Sequence, residues 1–342
     1  MAIKNKKRNV STAATPSTFC VDFCNIRGLH SNLNAVHHHL ETVKPALLFL
    51  TETQISPPDD TSYLEYPGYS LEHAFVSKAG VCMYVRSDIC CRRLGSLEDR
   101  DLSILWTRVD CSGHTRFCAC LYRSHSGDSE ADRLFGHVQE TTDSLLQQHP
   151  SAEVLVLGDF NAHHKEWLGS RTTDHAGKCA ANLALAYGLT QMVSNPTRIP
   201  DIETHTPSLL DLLLTTHPEG YQVSVEAPLG SSDHCLVRCV VPVVENGRPR
   251  PSGTRHVWHY KSADWDGLRE FYASFPWLQI CFSSDDPSIC ADAIADTILS
   301  GMHCFIPNSV IFCYYVSVAW LCCGCHNCKP SIRHFIYISV FI

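Results

Sequence analysis

The sequence predicts an α/β protein in which two mixed β-sheets pack face to face with helices outside. Three observations carry this. Apolar runs of strand length recur from Phe19 to about Val243: Ala46–Thr51, Val81–Val85, Ile104–Val109, Phe117–Tyr122, Val154–Leu157 and Cys235–Val243. Amphipathic stretches at helical spacing separate some of them. Elsewhere strands follow one another with no helix between, so the sheets are mixed and not purely parallel.

The elements follow in order. After the short run Phe19–Phe23, Leu33, Val36, Leu40 and Val43 define one helical face. Ala131, Leu134, Phe135, Val138, Leu145 and Leu146 define a second, between the strands ending at Tyr122 and beginning at Val154. A third helix is predicted over Gly177–Tyr187, with Gly188 as its stop, since glycine tolerates the left-handed conformation that closes a helix.

The chain has 342 residues, enough for one large domain and an appendage. A net charge of −8 and a pI near 6.2 exclude a general polycation, so any nucleic-acid contact is a local groove. Residues 1–18 are polar and Ser/Thr-rich and are expected to be disordered, with no secretory apolar core. Lys4, Lys6, Lys7 and Arg8 read as a nuclear-import signal or as a solvated tail. The 19 cysteines, without a secretory pattern, point to free thiols in a reducing, intracellular setting.

The domain expected over 19–243 is followed by a linker at 244–254, with the composition ENGRPRPSGT, and by a helical segment at 255–308. Residues 309–342 differ in texture: they hold no acidic residue and are rich in cysteine. Val310–Cys323 is too short to span a bilayer, which takes about 20 apolar residues, so no membrane partner is expected. Cys322, Cys323, Cys325, His326 and Cys328 lack the second spaced pair of a structural zinc site.

The candidate chemistry sits at strand ends. In Leu-Gly-Asp-Phe-Asn (157–161), Asp159 and Asn161 point the same way across Phe160. A carboxylate beside an amide can hold a water and a phosphate oxygen, although the pair also fits a plain Asp/Asn turn. In Ser-Ser-Asp-His (231–234), Asp233 is a hard oxygen ligand suited to Mg²⁺, and His234 can act as donor or base if a carboxylate orients it. Asp211, at the start of Leu212–Leu214, is a candidate orienter. Glu52 closes the strand Ala46–Thr51 and is a candidate metal ligand or an exposed strand end. Asn25 can position metal or phosphate, and Tyr122 can donate to phosphate or serve as an edge aromatic. Two carboxylates, an amide and an imidazole suffice to break a phosphodiester with a divalent metal.

In this order the polar strand ends resemble the endonuclease/exonuclease/phosphatase family, of DNase I-like fold, over residues 19–243. Within it, NIRGLHSN, LLFLTETQ, LGDFNAHH, NPTRIP, LLDLLLT and LGSSDH are similar to the endonuclease domain of non-LTR retrotransposons. The segment after the linker resembles what precedes the reverse transcriptase in those elements, so the chain reads as a truncated retroelement frame.

The resemblance implies a four-layer α/β/β/α sandwich with its site at one edge of the two sheets. It implies Mg²⁺, with Mn²⁺ as substitute and no small-molecule cofactor. The partner would be DNA, nicked on one strand to leave a 3′-hydroxyl. It places the metal at Glu52, Asp233 and Asn25, and the scissile phosphate at Asn25, Asn161, Tyr122 and Ser232. Asp159 would activate water or protonate the leaving oxygen, and Asp211 would orient His234. There are departures: Arg27 replaces the aspartate of abasic-site repair relatives, no proline follows Tyr122, and Cys24 replaces a tryptophan. The competing readings are a phosphoesterase on a small or lipid phosphate and a retroelement relic without a catalytic role.

Overall fold

The computed structural model describes residues 19–56, 60–76, 78–111, 114–200, 206–241, 254–258, 260–312 and 339–340. Segment 1–18, nearly all of the linker, and 313–338 with the cysteine group at 322–328 lie outside the described residues.

In chain order the elements are β1 (Phe19–Asn25), α1 (Leu29–Thr42), β2 (Leu47–Thr51), β3 (Tyr69–Ala74), β4 (Val81–Arg86), β5 (Cys91–Arg93), β6 (Ser103–Cys111), β7 (His114–Tyr122), α2 (Asp128–Gln148), β8 (Glu153–Asp159), α3 (His175–Tyr187), β9 (Thr190–Gln191), β10 (Asp211–Thr215), β11 (Gln222–Glu226) and β12 (Leu236–Val241). They build two six-stranded sheets, ordered β11-β12-β1-β2-β4-β3 and β5-β6-β7-β8-β10-β9. Both are mixed: β1 runs parallel to β2, and β7 to β8, among antiparallel neighbours.

Phe23, Phe49 and Met83 of the first sheet meet Leu105, Cys120, Leu157 and Leu213 of the second in one core. Val36 and Leu40 of α1 cover the outer face of the first sheet over Leu48, Leu50 and Tyr84. Leu134, Val138 and Leu183 of α2 and α3 cover the second over Trp106, Val156 and Leu212. The four layers are those expected. They also explain why the strands read as unbroken apolar runs. In β2, Leu47 and Phe49 face the inter-sheet core while Leu48 and Leu50 face α1, so neither side alternates to polar.

The structure differs from expectation in several places. Val43 lies one residue beyond α1 and is exposed. The third helix starts at His175 and not at Gly177, because the Asp174 side chain caps it by accepting from the Gly177 N–H. Gly188 closes it in the left-handed region, at φ 59°. In the two six-stranded sheets the four unexpected strands, β3, β5, β9 and β11, are the four edges. Their burial is only partial, as in the alternating pattern of β11, so no strong apolar run marks them.

Residues 254–258, expected at the linker and helical segment, instead form a strand, β13 (Thr254–Trp258). Thr254, Val257 and Trp258 are the β-branched and aromatic types that favour a pleated surface. Helices α4 (Trp265–Ser274), α5 (Trp277–Ile280) and α6 (Pro287–Phe305) follow. β13 then pairs antiparallel with β14 (Asn308–Phe312), which pairs with β15 (Ser339–Val340). Among the described residues no helix is long and apolar enough to cross a membrane, and the cysteines are free thiols.

One glycine fixes the approach of β8 to β7. A Cβ at Gly158 (φ 146°) would lie 1.9 Å from the Leu121 carbonyl oxygen, where only backbone can yield. Gly158→Ala is expected to destabilise the domain by at least about 2 kcal/mol, read as a lower urea midpoint.

Candidate active site

The topology gathers the polar strand ends. β1 and β2 are parallel, in a register that pairs Asn25 with Thr51 just before Glu52. β7 and β8 are parallel with Tyr122 opposite Asp159, and the antiparallel β10 starts with Asp211 opposite Asp159. The Ser232–His234 turn precedes β12, which pairs with β1.

Asp159 is the centre. It is buried, and its Oδ2 accepts from Asn25 Nδ2 at 2.8 Å and from Asn161 Nδ2 at 3.2 Å. Its Oδ1 accepts from the Asn161 N–H at 3.0 Å. His234 Nδ1 faces Asp211 Oδ2 at 2.7 Å, both side chains buried. The Tyr122 hydroxyl donates to Glu52 Oε1 at 3.2 Å. The Ser232 hydroxyl donates to the Asn25 carbonyl at 2.6 Å and accepts from the His234 N–H at 3.1 Å, so it holds the imidazole through the backbone.

Two expected metal ligands are engaged otherwise. Asn25 spends its amide on Asp159 and its Oδ1 on the Arg27 N–H at 3.1 Å. Asp233 has one oxygen 3.2 Å from Arg27 Nη1 and the other 3.0 Å from Arg198 Nε. Each of these oxygens keeps a further lone pair, so these contacts do not by themselves bar ligation. Asp159, Asp211 and His234 form a buried group whose ligand atoms all lie within 4.8 Å of one another. Asp211 Oδ1 is buried without a hydrogen-bond partner, a negative atom left for a cation or a donor.

The electrostatics separate the titrating groups. Burial, then the Asp211 charge, push Asp159 up to about 7, against the opposing His234, Asn25 and Asn161 N–H. Burial pulls His234 down, but Asp211, Asp159 and Asp233 outweigh it and raise it to about 9. Burial also opposes the Asp233 charge, yet Arg198, His234 and Arg27 hold it below the usual carboxylate range. Burial pushes the Tyr122 hydroxyl well up, so it remains a donor.

Backbone strain concentrates here. Arg27, Glu52 and Asn161 adopt left-handed φ values of 49°, 53° and 44°. Such residues cost on the order of 1 kcal/mol or more each and persist where surroundings fix them. Asn161 is fixed by a reciprocal clamp: its Nδ2 donates to the Arg123 carbonyl at 2.7 Å, and Arg123 Nη1 donates to the Asn161 carbonyl at 2.8 Å.

Sequence reasoning assigned no role to Arg123 or Arg198. Arg123 follows Tyr122 directly, and a buried arginine beside a site residue was the available signal. Arg198 lies in NPTRIP, but only the fold brings it to Asp233.

Residues 19–241, with their polar strand ends gathered at one edge of the two sheets, have the DNase I-like fold, an α/β sandwich. Residues 116–238 match the Endonuclease-reverse transcriptase family, Exo_endo_phos_2. Among solved structures, the endonuclease domain of TRAS1, a telomere-specific non-LTR retrotransposon, aligns at TM-score 0.53 and 15% identity, covering 66% of this chain and 100% of that one. The AP endonuclease LMAP from Leishmania major aligns at TM-score 0.55 and 14% identity, covering 69% and 92%. A 3′-5′ exonuclease, NExo, from Neisseria meningitidis aligns at 0.50 and 17%, covering 65% and 98%. At these identities the structural likeness establishes the fold. No curated protein matches the chain in sequence.

Proposed function

We propose that the chain is a Mg²⁺-dependent DNA endonuclease of non-LTR retrotransposon origin that nicks one strand and leaves a 3′-hydroxyl. The observation that carries this reading is the buried Asp159, held by Asn25 and Asn161 beside the Asp211–His234 pair. The match to an Endonuclease-reverse transcriptase family and the nuclease names of the structural neighbours favour DNA as substrate.

The donor set suits Mg²⁺, which needs one or two carboxylates and completes its shell with water and substrate phosphate. Glu52, half-buried at the strand end and in contact with the Tyr122 hydroxyl, is the carboxylate we assign to it, and the unpartnered Asp211 Oδ1 is a further negative atom of the Asp159–Asp211–His234 group. When bound, the metal neutralises charge on the phosphoryl oxygens and leaving group.

The remaining roles follow from charge. Asp159, poised near neutrality, takes a proton from the attacking water. His234 is an imidazolium at neutral pH. Its Nδ1–H is held by Asp211, and its other ring N–H donates to a non-bridging phosphoryl oxygen. Asn25 and Asn161 fix the Asp159 carboxylate and, with Tyr122, cradle the phosphate. Ser232 sets the height of His234. Specificity in this reading rests on backbone contacts and duplex deformability.

The pH dependence follows. Asp159 must be deprotonated and His234 protonated. kcat/KM is therefore expected to rise as pH passes about 7 and to fall as it passes about 9, a bell measured by initial nicking rates.

The test of the substrate class is a parallel assay of the full chain on end-labelled duplex DNA and on an inositol polyphosphate, with Mg²⁺ or chelator. Cleavage of the duplex alone supports the proposal. Phosphate release from the inositol with the duplex intact overturns it in favour of a small-molecule phosphoesterase.

A further inference from the structure

A second group of side chains of metal-ligating type lies away from the strand ends, on the outer helical layer. Asp132 of α2 meets His175 and Cys179 of α3. Asp132 Oδ1 is 2.6 Å from His175 Nε2, Cys179 Sγ is 3.4 Å from the same Nε2, and Sγ is 3.7 Å from Asp132 Oδ1.

The geometry decides between two chemistries. In a cysteine–histidine–aspartate nucleophile system the thiol and the carboxylate use opposite ring nitrogens, because the histidine relays between them. Here both converge on Nε2, so the three ligand atoms surround one point. That is the arrangement of ligands around an ion.

We propose that Asp132, His175 and Cys179 form a second metal site that takes a divalent cation of borderline softness, zinc before others, with water completing its shell. His175 and Cys179 are four residues apart on α3 and so share a helix face, which Asp132 of α2 meets.

The spacing suits a tetrahedral ion. With bonds of about 2.0–2.1 Å to nitrogen and oxygen and about 2.3 Å to sulfur, ligand atoms stand about 3.3–3.6 Å apart. The two sulfur separations are already close to this, at 3.4 and 3.7 Å. The His175–Asp132 contact, a hydrogen bond without metal, opens by about 0.7 Å.

The donor types select the ion, since thiolate and imidazole favour zinc over Mg²⁺ or Ca²⁺. The His175 and Asp132 side chains are 38% and 63% exposed, so the ion enters from solvent. Both helices present their N-terminal halves, whose partial positive charge disfavours a cation. The Asp132 carboxylate and the Cys179 thiolate formed on binding oppose that sign.

The consequence reaches the candidate active site through the chain. α2 starts just after the loop that leaves Tyr122, and α3 follows the loop that leaves Asn161. An ion bridging the two helix starts ties together the anchors of both loops.

The probe is Co²⁺ alone, titrated into the metal-free full chain. One equivalent is expected to give thiolate-to-cobalt charge-transfer absorption with the visible bands of tetrahedral cobalt, both removed by zinc. Cys179→Ser should bind one thiolate-ligated equivalent fewer. His175→Gln and Asp132→Asn should each weaken binding at least about 10-fold, since even outer partners of a metal ligand contribute that much. No such band in the folded wild type, or full stoichiometry in Cys179→Ser, overturns the site. Loss in Cys179→Ser with unchanged affinity in His175→Gln also overturns it, leaving only a single thiol. Asp159→Asn should retain the bands, so failure of this site and failure of the nuclease reading are told apart.

Discussion

Asp159→Asn is expected to reduce DNA nicking by about 10³-fold or more while leaving the fold intact. Asparagine has nearly the same shape and can still accept from Asn25 or Asn161, but it cannot take a proton. The same change should alter stability in the opposite sense from activity. Wild-type Asp159 is pushed up to about 7 by burial and by the Asp211 charge. Its ordinary value is about 3.9, so the native state holds a proton that the unfolded state releases. Stability from this group is therefore full below about pH 4 and is lost as pH rises through about 7. Melting temperatures measured from pH 4 to 8 should fall less for Asp159→Asn than for the wild type. Equal activity of the two proteins would remove Asp159 from the chemistry.

Asp211→Asn is expected to lower kcat by about 10²–10⁴-fold at pH 8 and to move the whole pH profile toward acid. Its carboxylate is the main support of the His234 charge and, after burial, the main reason that Asp159 titrates so high. Without it the imidazole loses both its orienting partner at 2.7 Å and its proton at lower pH. The acid limb, set by Asp159, shifts the same way. A pH–rate profile resolves both limbs. A basic limb that stays in place would show that His234 is not the protonated group.

Much of this was legible in the chain because the central strands are buried on both faces. The runs at 46–51, 154–157 and 212–214 are apolar without alternation, and a carboxylate closing such a run stands out. Glu52, Asp159 and Asp211 were found in that way. The sheet edges were not, since β3, β5, β9 and β11 bury at most one face and carry polar residues on the other. The strand at 254–258 was hidden for another reason: its partner at 308–312 is distant in sequence. Partnerships set by tertiary structure were equally silent. Nothing local to Asp233 announces Arg198, and nothing local to His175 announces Asp132, which joins it only when α2 packs on α3.

Nicking of supercoiled plasmid by the full chain tests whether the edge constellation around Asp159 cleaves DNA. Open circles are expected with Mg²⁺, none with EDTA and none with Asp159→Asn, and a polymerase should extend the nick because it ends in a 3′-hydroxyl. No open circles from a protein shown by melting to be folded, or equal nicking by Asp159→Asn, would contradict cleavage by this constellation.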